Sequence, residues 1–313
     1  MKKILVTGAG GFIGRSLVNS LSTDKKNLVI AMDNNFRGSL KKIKKTENIK
    51  KVKADIMNED EIKTYFKGVN TCFHLAAING TKNFYNHPKK VLETGVEGTL
   101  NVVKQSLKNK LNNFIFFSSS EAYQKPKKIP TTELEELKIP DVFNPRLSYG
   151  GSKIIGELIT INYLIKSKLK YKIIRPHNVY GPDMGSDHVL PELIGKIRKQ
   201  KRNTNVRIKI FGSGNESRSF IYIDDAIKGI LNIFNKGSYN NIYNLGTNQE
   251  IKIKNLIKNL GKILGKKIEI IPDALHRGSV SRRCPDVSKL NKLGHKNNFS
   301  LMQGLRETIK YYY

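Results

Sequence analysis

Several features that would place this chain outside the cytosol are missing from its sequence. Only two cysteines, Cys72 and Cys284, occur in 313 residues, too few for the disulfide framework of a small secreted domain. No apolar run approaches the length of a membrane-spanning helix, roughly 18 residues. A predicted strand begins at Ile4, which leaves no room for a signal peptide. We therefore expect a cytoplasmic protein with no membrane anchor.

Acidic residues are also scarce. The chain has 26 Asp and Glu against 56 Lys and Arg, a formal net charge of +30. Such a charge can signal a nucleic-acid partner or an anionic membrane surface, but no aromatic-interleaved RNA-binding motif accompanies it. We interpret the excess as a solvated lysine-rich surface and expect no nucleic acid and no membrane as partners. The basic stretches are separate, at residues 41–53, 125–128, 196–202 and 252–267.

Length and a hydrophobic content of 38% allow one large or two modest domains with real cores. Through the first 180 residues, short apolar stretches alternate with helical patterns, which predicts an α/β fold with a doubly wound parallel sheet. The predicted strands are residues 4–7, 28–32, 50–55, 71–75, 113–118 and 171–175. The predicted helices are residues 12–21, 59–66, 88–108 and 148–168.

Beyond Pro182 the alternation loosens, and helical patterns at residues 190–199 and 251–264 flank shorter strands. This predicts a smaller C-terminal α/β substrate-binding lobe. We place the first domain at residues 1–180 and the second lobe at residues 181–313, with some segments returning to the first domain.

The first strand leads directly into a glycine-rich loop, and an amphipathic helix follows it. The loop holds Gly8, Gly11 and Gly14, which allow a tight turn and a close approach of backbone N–H groups to a pyrophosphate. Asp33 ends the second strand, where a carboxylate can accept hydrogen bonds from a ribose diol. The carboxylate of Asp33 would repel a 2′-phosphate, so this arrangement of strand, glycine loop, helix and acid predicts NAD rather than NADP.

Ligands of parallel sheets bind beyond the carboxyl ends of the strands, and a tyrosine–lysine pair follows the fifth predicted strand. Tyr149 and Lys153 are four residues apart, so they share one face of the predicted helix. A nearby ammonium stabilises a phenolate, and this suits a general base for a sugar hydroxyl. Two pairs with the same spacing contain a proline that disfavours a helix interior: Tyr85 with Lys89, and Tyr123 with Lys127.

With these motifs the chain resembles the extended short-chain dehydrogenase/reductases, in particular the NAD-dependent nucleotide-sugar epimerase/dehydratase family. The resemblance extends over nearly all of the chain and implies a Rossmann-type fold and enzymatic activity. The matching stretches are residues 7–14, 33–34, 55–56, 74–77, 118–123, 149–153, 175–182, 218–225 and 243–246.

The resemblance implies a shared first step, oxidation of a sugar carbon, usually C4. In it Tyr149 removes the proton of the sugar hydroxyl while hydride passes to NAD. Lys153 lowers the pKa of the tyrosine and holds the nicotinamide ribose, and Ser119 hydrogen-bonds the reacting oxygen. Glu121 is the remaining candidate catalytic residue.

The resemblance also implies binding residues and a homodimer formed through a four-helix contact of residues 88–108 and 148–168. The substrate is expected to be a nucleotide-diphosphate sugar, bound by Asn178, Arg218, Arg277 and Arg283. The cofactor-binding residues are expected to be Gly8, Gly11, Phe12, Ile13, Gly14, Asp33, Asn34, Asp55, Ile56, Leu75, Ala76, Ala77, Tyr149 and Lys153.

The chemistry after the first step stays open between three outcomes. Ser120 stands where the 4,6-dehydratases of the family carry an acid, which disfavours dehydration. We favour 4-epimerisation. Decarboxylation is a second outcome, because the chain resembles UDP-glucuronate decarboxylases at Glu121, at residues 144–146 and at residues 282–286. Net dehydrogenation at C4 is a third. A non-catalytic nucleotide- or nucleic-acid-binding protein is a remote alternative.

A few further residues receive interpretations of their own. Gly95 stands where the family commonly has an asparagine near the cofactor, and His177 replaces a residue that is often Phe. We expect His74 to lie in the core, and Asp225 with its neighbour Asp224 to cap the helix that follows. The remaining histidines show no metal-ligand spacing, so we predict no metal.

Overall fold

The computed structural model describes residues 1–200, 204–274 and 278–313. Strands and helices alternate along most of this length. The strands are β1 Lys2–Thr7, β2 Asn27–Asp33, β3 Ile49–Lys53, β4 Thr71–His74, β5 Asn113–Phe117, β6 Lys170–Pro176, β7 Val179–Tyr180, β8 Asn205–Phe211, β9 Ser217–Ser219, β10 Ile221–Tyr222, β11 Asn241–Leu245, β12 Glu250–Lys252, β13 Lys267–Asp273 and β14 Arg282–Arg283. The helices are α1 Phe12–Leu21, α2 Glu59–Ile62, α3 Thr81–Asn86, α4 Pro88–Lys108, α5 Leu147–Leu164, α6 Val189–Lys199, α7 Ile223–Lys236, α8 Ile253–Leu264, α9 Ser288–Lys292 and α10 Leu301–Tyr312.

Seven strands form a central sheet in the order β11-β6-β5-β4-β1-β2-β3, and every neighbouring pair in it is parallel. Strand β4 is buried along its whole length, as expected for a parallel sheet covered on both faces by helices. The predicted doubly wound α/β fold is confirmed.

Hydrophobic cores lie on both faces of this sheet because successive side chains of a strand point to opposite sides. Val6 packs into a cluster that contains Leu17 of α1 and Ile230 of α7. Its neighbour Leu5 packs into a second cluster that contains Val102 of α4. The sheet is therefore held between α1 and α7 on one side and α4 and α5 on the other.

Helices α4 and α5 approach each other closely at Gly95. A Cβ atom at this position would lie 2.5 Å from Cβ of Ser152 on α5, a separation that folded proteins do not tolerate. The glycine that departs from the family pattern therefore has a packing reason, because a side chain here would push the two helices apart.

The predicted elements agree with the structure to within two residues at either end, except at two helices. The helix predicted at 59–66 divides into α2 and a 3-10 turn over Lys63–Phe66, and the one predicted at 148–168 ends at Leu164. The capping role expected of Asp225 is wrong, because α7 already begins at Ile223. The carboxylate of Asp225 instead accepts hydrogen bonds from the backbone N–H groups of Asn298 and Phe299, at 3.0 and 2.9 Å.

Beyond the central sheet, the second half of the chain forms small sheets of two or three strands. These are the pairs β7–β10 and β8–β13 and the three-stranded sheet β12-β9-β14. Strand β11 returns to the central sheet beside β6. The division after residue 180 stays a prediction. Within the described part of the chain, no helix combines the length and the apolar content needed to cross a membrane.

Candidate active site

A cavity of 640 Å³ opens at the carboxyl ends of β1, β2, β4 and β5, the edge where a parallel sheet binds its ligands. It brings together most of the residues predicted for the site. Those that line it are Gly8, Gly11, Phe12, Ile13, Gly14, Asp33, Asn34, Asp55, Ile56, Leu75, Ala76, Ala77, Ser119, Glu121, Tyr149, Lys153, Asn178 and Arg283.

The glycine-rich loop has the geometry of a phosphate cradle. Gly8 has a φ of +69°, and a Cβ atom on it would lie 2.7 Å from the backbone nitrogen of Ala76, so only glycine fits. Helix α1 follows after Gly11, and no side chain caps its first turn. The first N–H groups of a helix have no partner within it, and here they remain available to an anion.

Asp33 lies at the end of β2, beside this cradle. Its carboxylate accepts hydrogen bonds from the backbone N–H of Gly10 at 2.9 Å and of Asn35 at 2.7 Å. Burial raises the pKa of this carboxyl, although the two N–H donors oppose the shift. Next to it, the amide of Asn34 donates to the carboxylate of Asp55 at 2.9 Å. The cradle, the unpaired N–H groups and this acid together fit a dinucleotide.

Tyr149 also lines the cavity and lies in the first turn of α5. Its ring stacks on that of Phe84, with centroids 5.1 Å apart and planes at 14°. Burial raises the pKa of Tyr149 to about 12; the hydrogen bond with Ser119 and the charge of Arg37 lower it, whereas Glu121 raises it further.

Lys153 lies one helical turn after Tyr149 and is 3% exposed. Its Nζ donates to the backbone carbonyl of Phe117 at 2.8 Å and lies 5.6 Å from the ring centroid of Tyr149. Burial lowers the pKa of this ammonium to about 7. The resemblance implies that Lys153 lowers the pKa of the tyrosine, whereas in this structure Ser119 and Arg37 are the groups that do so.

Glu121 is held in a cluster of arginines. Its Oε1 accepts a hydrogen bond from Nη1 of Arg283 at 2.7 Å and lies 4.0 Å from Nη2 of Arg146. Burial alone would raise the pKa of Glu121, but Arg283, Arg146 and Arg218 outweigh it and bring the pKa to about 2. The side chain is therefore ionised near neutral pH and has no proton to donate there.

Of the three remaining residues that were predicted to bind substrate, only one lines the cavity within the described part of the chain. Asn178 lines the cavity with a φ of +33°, and its amide donates to the carbonyl of Ser219 at 2.9 Å. Arg218 does not line the cavity; its guanidinium donates to the carbonyls of Ser217 and Val280 at 2.7 and 2.8 Å. Arg277 lies outside the described residues.

Several residues of the cavity wall belong to none of the sequence motifs. Arg37, Asp187 and His188 line the cavity but belong to loops without a recognisable pattern. At the cavity edge, the carboxylate of Asp183 pairs with Arg15 at 2.9 Å and with Lys42 at 2.7 Å. None of these residues stands at a motif position, so only the folded structure shows that they line the cavity.

Comparison with known proteins fits this geometry. A family model described as "NAD dependent epimerase/dehydratase family" matches residues 4–246. The chain belongs to the NAD-dependent epimerase/dehydratase family. It is therefore an NAD-dependent enzyme, as the resemblance implied.

Similar members of this epimerase/dehydratase family carry different activities in their names. A putative UDP-glucose 4-epimerase of Methanocaldococcus jannaschii is 31% identical over 98% of this chain and 97% of its own. A UDP-N-acetyl-alpha-D-glucosaminuronate decarboxylase of Bacillus cytotoxicus is 28% identical over 99% and 98%. The solved UDP-N-acetylglucosamine 4-epimerase of Methanobrevibacter ruminantium superposes with a TM-score of 0.89, at 26% identity and over 99% and 98% of the two chains.

Two buried histidines of this family member, His74 and His177, do not line the cavity. His74 bridges the hydroxyls of Thr7 and Thr99 at 2.7 and 3.0 Å, and burial lowers its pKa to about 3, so its expected place in the core is confirmed. His177 is 1% exposed and contacts Asn244 rather than the cavity.

Tyr123, whose spacing to Lys127 imitates the site, is buried away from the cavity. Its hydroxyl accepts from Arg175 and donates to Asn244, both at 2.8 Å. Among residues 1–200, 204–274 and 278–313, no group of three His, Cys, Asp or Glu side chains is arranged to hold a metal ion.

Proposed function

We propose that this enzyme is a 4-epimerase of a UDP-linked sugar, which oxidises C4 and reduces it again from the opposite face. The observation that carries the proposal is the grouping of Ser119, Tyr149 and Lys153 in the cavity that also holds the glycine cradle. Bound NAD supplies the hydride acceptor and donor for this chemistry.

In this proposal Tyr149 removes the proton of the C4 hydroxyl as C4 loses its hydride, and returns that proton when C4 is reduced. Ser119, hydrogen-bonded to Tyr149, orients the reacting oxygen. Lys153, with its ammonium fixed on the Phe117 carbonyl, holds the nicotinamide ribose. Asp33 and the glycine cradle hold the adenosine end, and Asn178 contacts the substrate.

The acid–base inventory of the cavity supports epimerisation over dehydration. Loss of water from the sugar needs a group that protonates the leaving hydroxyl, and the two side chains after Ser119 do not serve. Ser120 has no acidic proton near neutral pH, and Glu121 is kept ionised by Arg283. Epimerisation needs no such donor, because Tyr149 carries the same proton in both directions.

Incubation with UDP-glucose, UDP-N-acetylglucosamine and UDP-glucuronate tests the proposal, with products followed by NMR, CO₂ release and NADH absorbance. We expect one substrate to equilibrate with its C4 epimer without CO₂ and without net NADH. Net NADH in proportion to product would make the enzyme a C4 dehydrogenase, and no turnover of any sugar in the set would contradict the proposal.

A second candidate, decarboxylation of a uronate sugar, is favoured by the arginines around Glu121. The guanidinium of Arg283 is mostly buried, and its Nη2 has no hydrogen-bond partner among the described residues. Arginine matches carboxylate geometry, so a sugar carboxylate is a suitable partner. Release of CO₂ from UDP-glucuronate with formation of a pentose product would establish this candidate.

We further propose a cytoplasmic homodimer that pairs through α4 and α5. The two helices pack against each other, and each carries an exposed leucine, Leu92 at 42% and Leu158 at 55%. Light scattering of the wild type and of Leu158→Glu tests this arrangement. We expect a dimer that the substitution converts to a monomer, and an unchanged mass would contradict the contact.

A further inference from the structure

The face opposite the cavity gathers lysines that are scattered in the sequence. Because all seven strands of the central sheet are parallel, the loops that precede them lie together at its amino-terminal edge. We call six exposed lysines of these loops and adjoining residues the basic rim. They are Lys26, Lys67, Lys108, Lys110, Lys168 and Lys170.

Hydrogen bonds between neighbouring loops make the basic rim continuous. The carbonyl of Lys26 accepts from the backbone N–H of Lys2 at 2.8 Å, and that of Lys67 accepts from Nζ of Lys3 at 2.5 Å. The backbone N–H of Lys170 donates to Asn112 at 3.0 Å. From β2 to β6 there are four strand spacings, so these loops extend over roughly 19 Å.

Little negative charge opposes these lysines. Residues 22–26, 67–70, 108–112 and 165–170, which lead into β2, β4, β5 and β6, contain a single acid, Asp24. Among the described residues, none of the six lysines of the basic rim forms an ion pair. The edge is therefore net positive, although Asp24 and Glu47, the latter in the loop before β3, partly offset the lysines.

Two large side chains beside the basic rim are exposed. Ile165, which follows α5, is 63% exposed, and Tyr239, which precedes β11, is 55% exposed. Lysines that flank an exposed aliphatic and a tyrosine are typical of surfaces that lie on a lipid interface. These loops contain no arginine, the residue that suits bidentate contacts with nucleic-acid phosphates, so the composition favours lipid over nucleic acid.

We propose that the basic rim docks the enzyme on an anionic lipid surface, with Ile165 and Tyr239 at the headgroup level and the cavity facing away. Lysines near such a surface each strengthen binding, by about fivefold at moderate salt. The inference departs from the expectation, drawn from the separate basic stretches, that the charge only solvates the protein. It is independent of the proposed epimerisation, since no residue of the cavity takes part.

Co-sedimentation of the full chain with phosphatidylcholine vesicles, with and without phosphatidylglycerol, tests the proposal. We expect binding only to the anionic vesicles, weakening as salt is raised. A variant in which Lys108, Lys110, Lys168 and Lys170 are changed to Gln should bind several hundredfold more weakly, about fivefold for each lysine removed. The matched control changes four exposed lysines outside the rim to Gln and should keep most of the binding: Lys252, Lys258, Lys262 and Lys267.

Three results would overturn the proposal. One is the absence of binding to anionic vesicles at low salt. Another is an equal loss in the rim variant and in the control, which would reduce the effect to net charge. The third is rim-dependent binding to a single-stranded RNA that is tighter than binding to the vesicles. Unfolding curves of both variants verify that they are folded.

Discussion

Burial of Lys153 disfavours its protonated form and therefore lowers the stability of the folded enzyme without its cofactor. Burial lowers its pKa from an ordinary 10.5 to about 7, so at pH 8 the folded protein must release a proton that the unfolded chain keeps. With about 1.4 kcal/mol per pKa unit, this destabilises the folded state by about 3 kcal/mol at that pH. Lys153→Met removes the cost and loses one hydrogen bond, to Phe117, of about 1 kcal/mol. We expect the variant to be about 2 kcal/mol more stable.

The pH dependence gives this prediction its sign. A base whose pKa is lowered by folding destabilises the folded state fully below its folded pKa, and the cost disappears as pH rises to the unfolded pKa. The advantage of Lys153→Met should therefore shrink by about 2 kcal/mol between pH 8 and 9.5. Urea unfolding without added NAD measures it, and Lys104→Met, at an exposed site of α4, is the control. A variant that is less stable than the wild type at both pH values would refute the reasoning.

Three further substitutions test other parts of the site. Tyr149→Phe should lower turnover by roughly 10²–10⁴-fold while NAD still binds; near-normal turnover would exclude it as the base. Glu121→Gln leaves the buried charge of Arg283 without its partner and should cost about 3–5 kcal/mol in urea unfolding at pH 7. Folding lowers the pKa of Glu121 to about 2. The ionised side chain therefore stabilises the folded state above its ordinary pKa of 4.5, and this stabilisation is lost as pH falls towards 2. The difference in unfolding free energy between the wild type and Glu121→Gln should therefore narrow at pH 3, and a difference that stays constant would contradict this. Gly95→Ala should destabilise by about 1–3 kcal/mol through its clash with Ser152, and Gly95→Ala combined with Ser152→Gly should recover most of the loss, whereas no recovery would point to another cause.

Local patterns were sufficient for the elements that position the cofactor. Helix α1 begins at Phe12 and α4 begins at Pro88, as their apolar spacing predicts. A glycine loop between a strand and a helix, and an acid at the next strand end, are features of neighbouring residues. Tyr149 and Lys153 were predictable for the same reason, since four residues on a helix fix which face they share.

Features that depend on distant residues were not predictable in the same way. The ion pair of Glu121 with Arg283 joins positions 162 residues apart, and no local spacing records it. The packing role of Gly95 depends on how closely α5 approaches, which only the folded structure determines. At Asp225 a local pattern led to a wrong prediction. An acid near the start of a helix favours an N-cap, but the carboxylate of Asp225 instead accepts a hydrogen bond from the distant backbone N–H of Asn298.

The place of β11 in the central sheet has a consequence for synthesis on the ribosome. Its pairing partner β6 ends at Pro176, yet β11 itself emerges only after about 65 further residues. Until then the edge of β6 is unpaired, and the hydroxyl of Tyr123 lacks its acceptor, the side-chain Oδ1 of Asn244. We therefore expect a nascent chain stopped near residue 180 to expose an unpaired strand edge that can pair with other chains. Emergence of β11, rather than completion of residues 1–180, would then mark the point at which this edge is protected from aggregation.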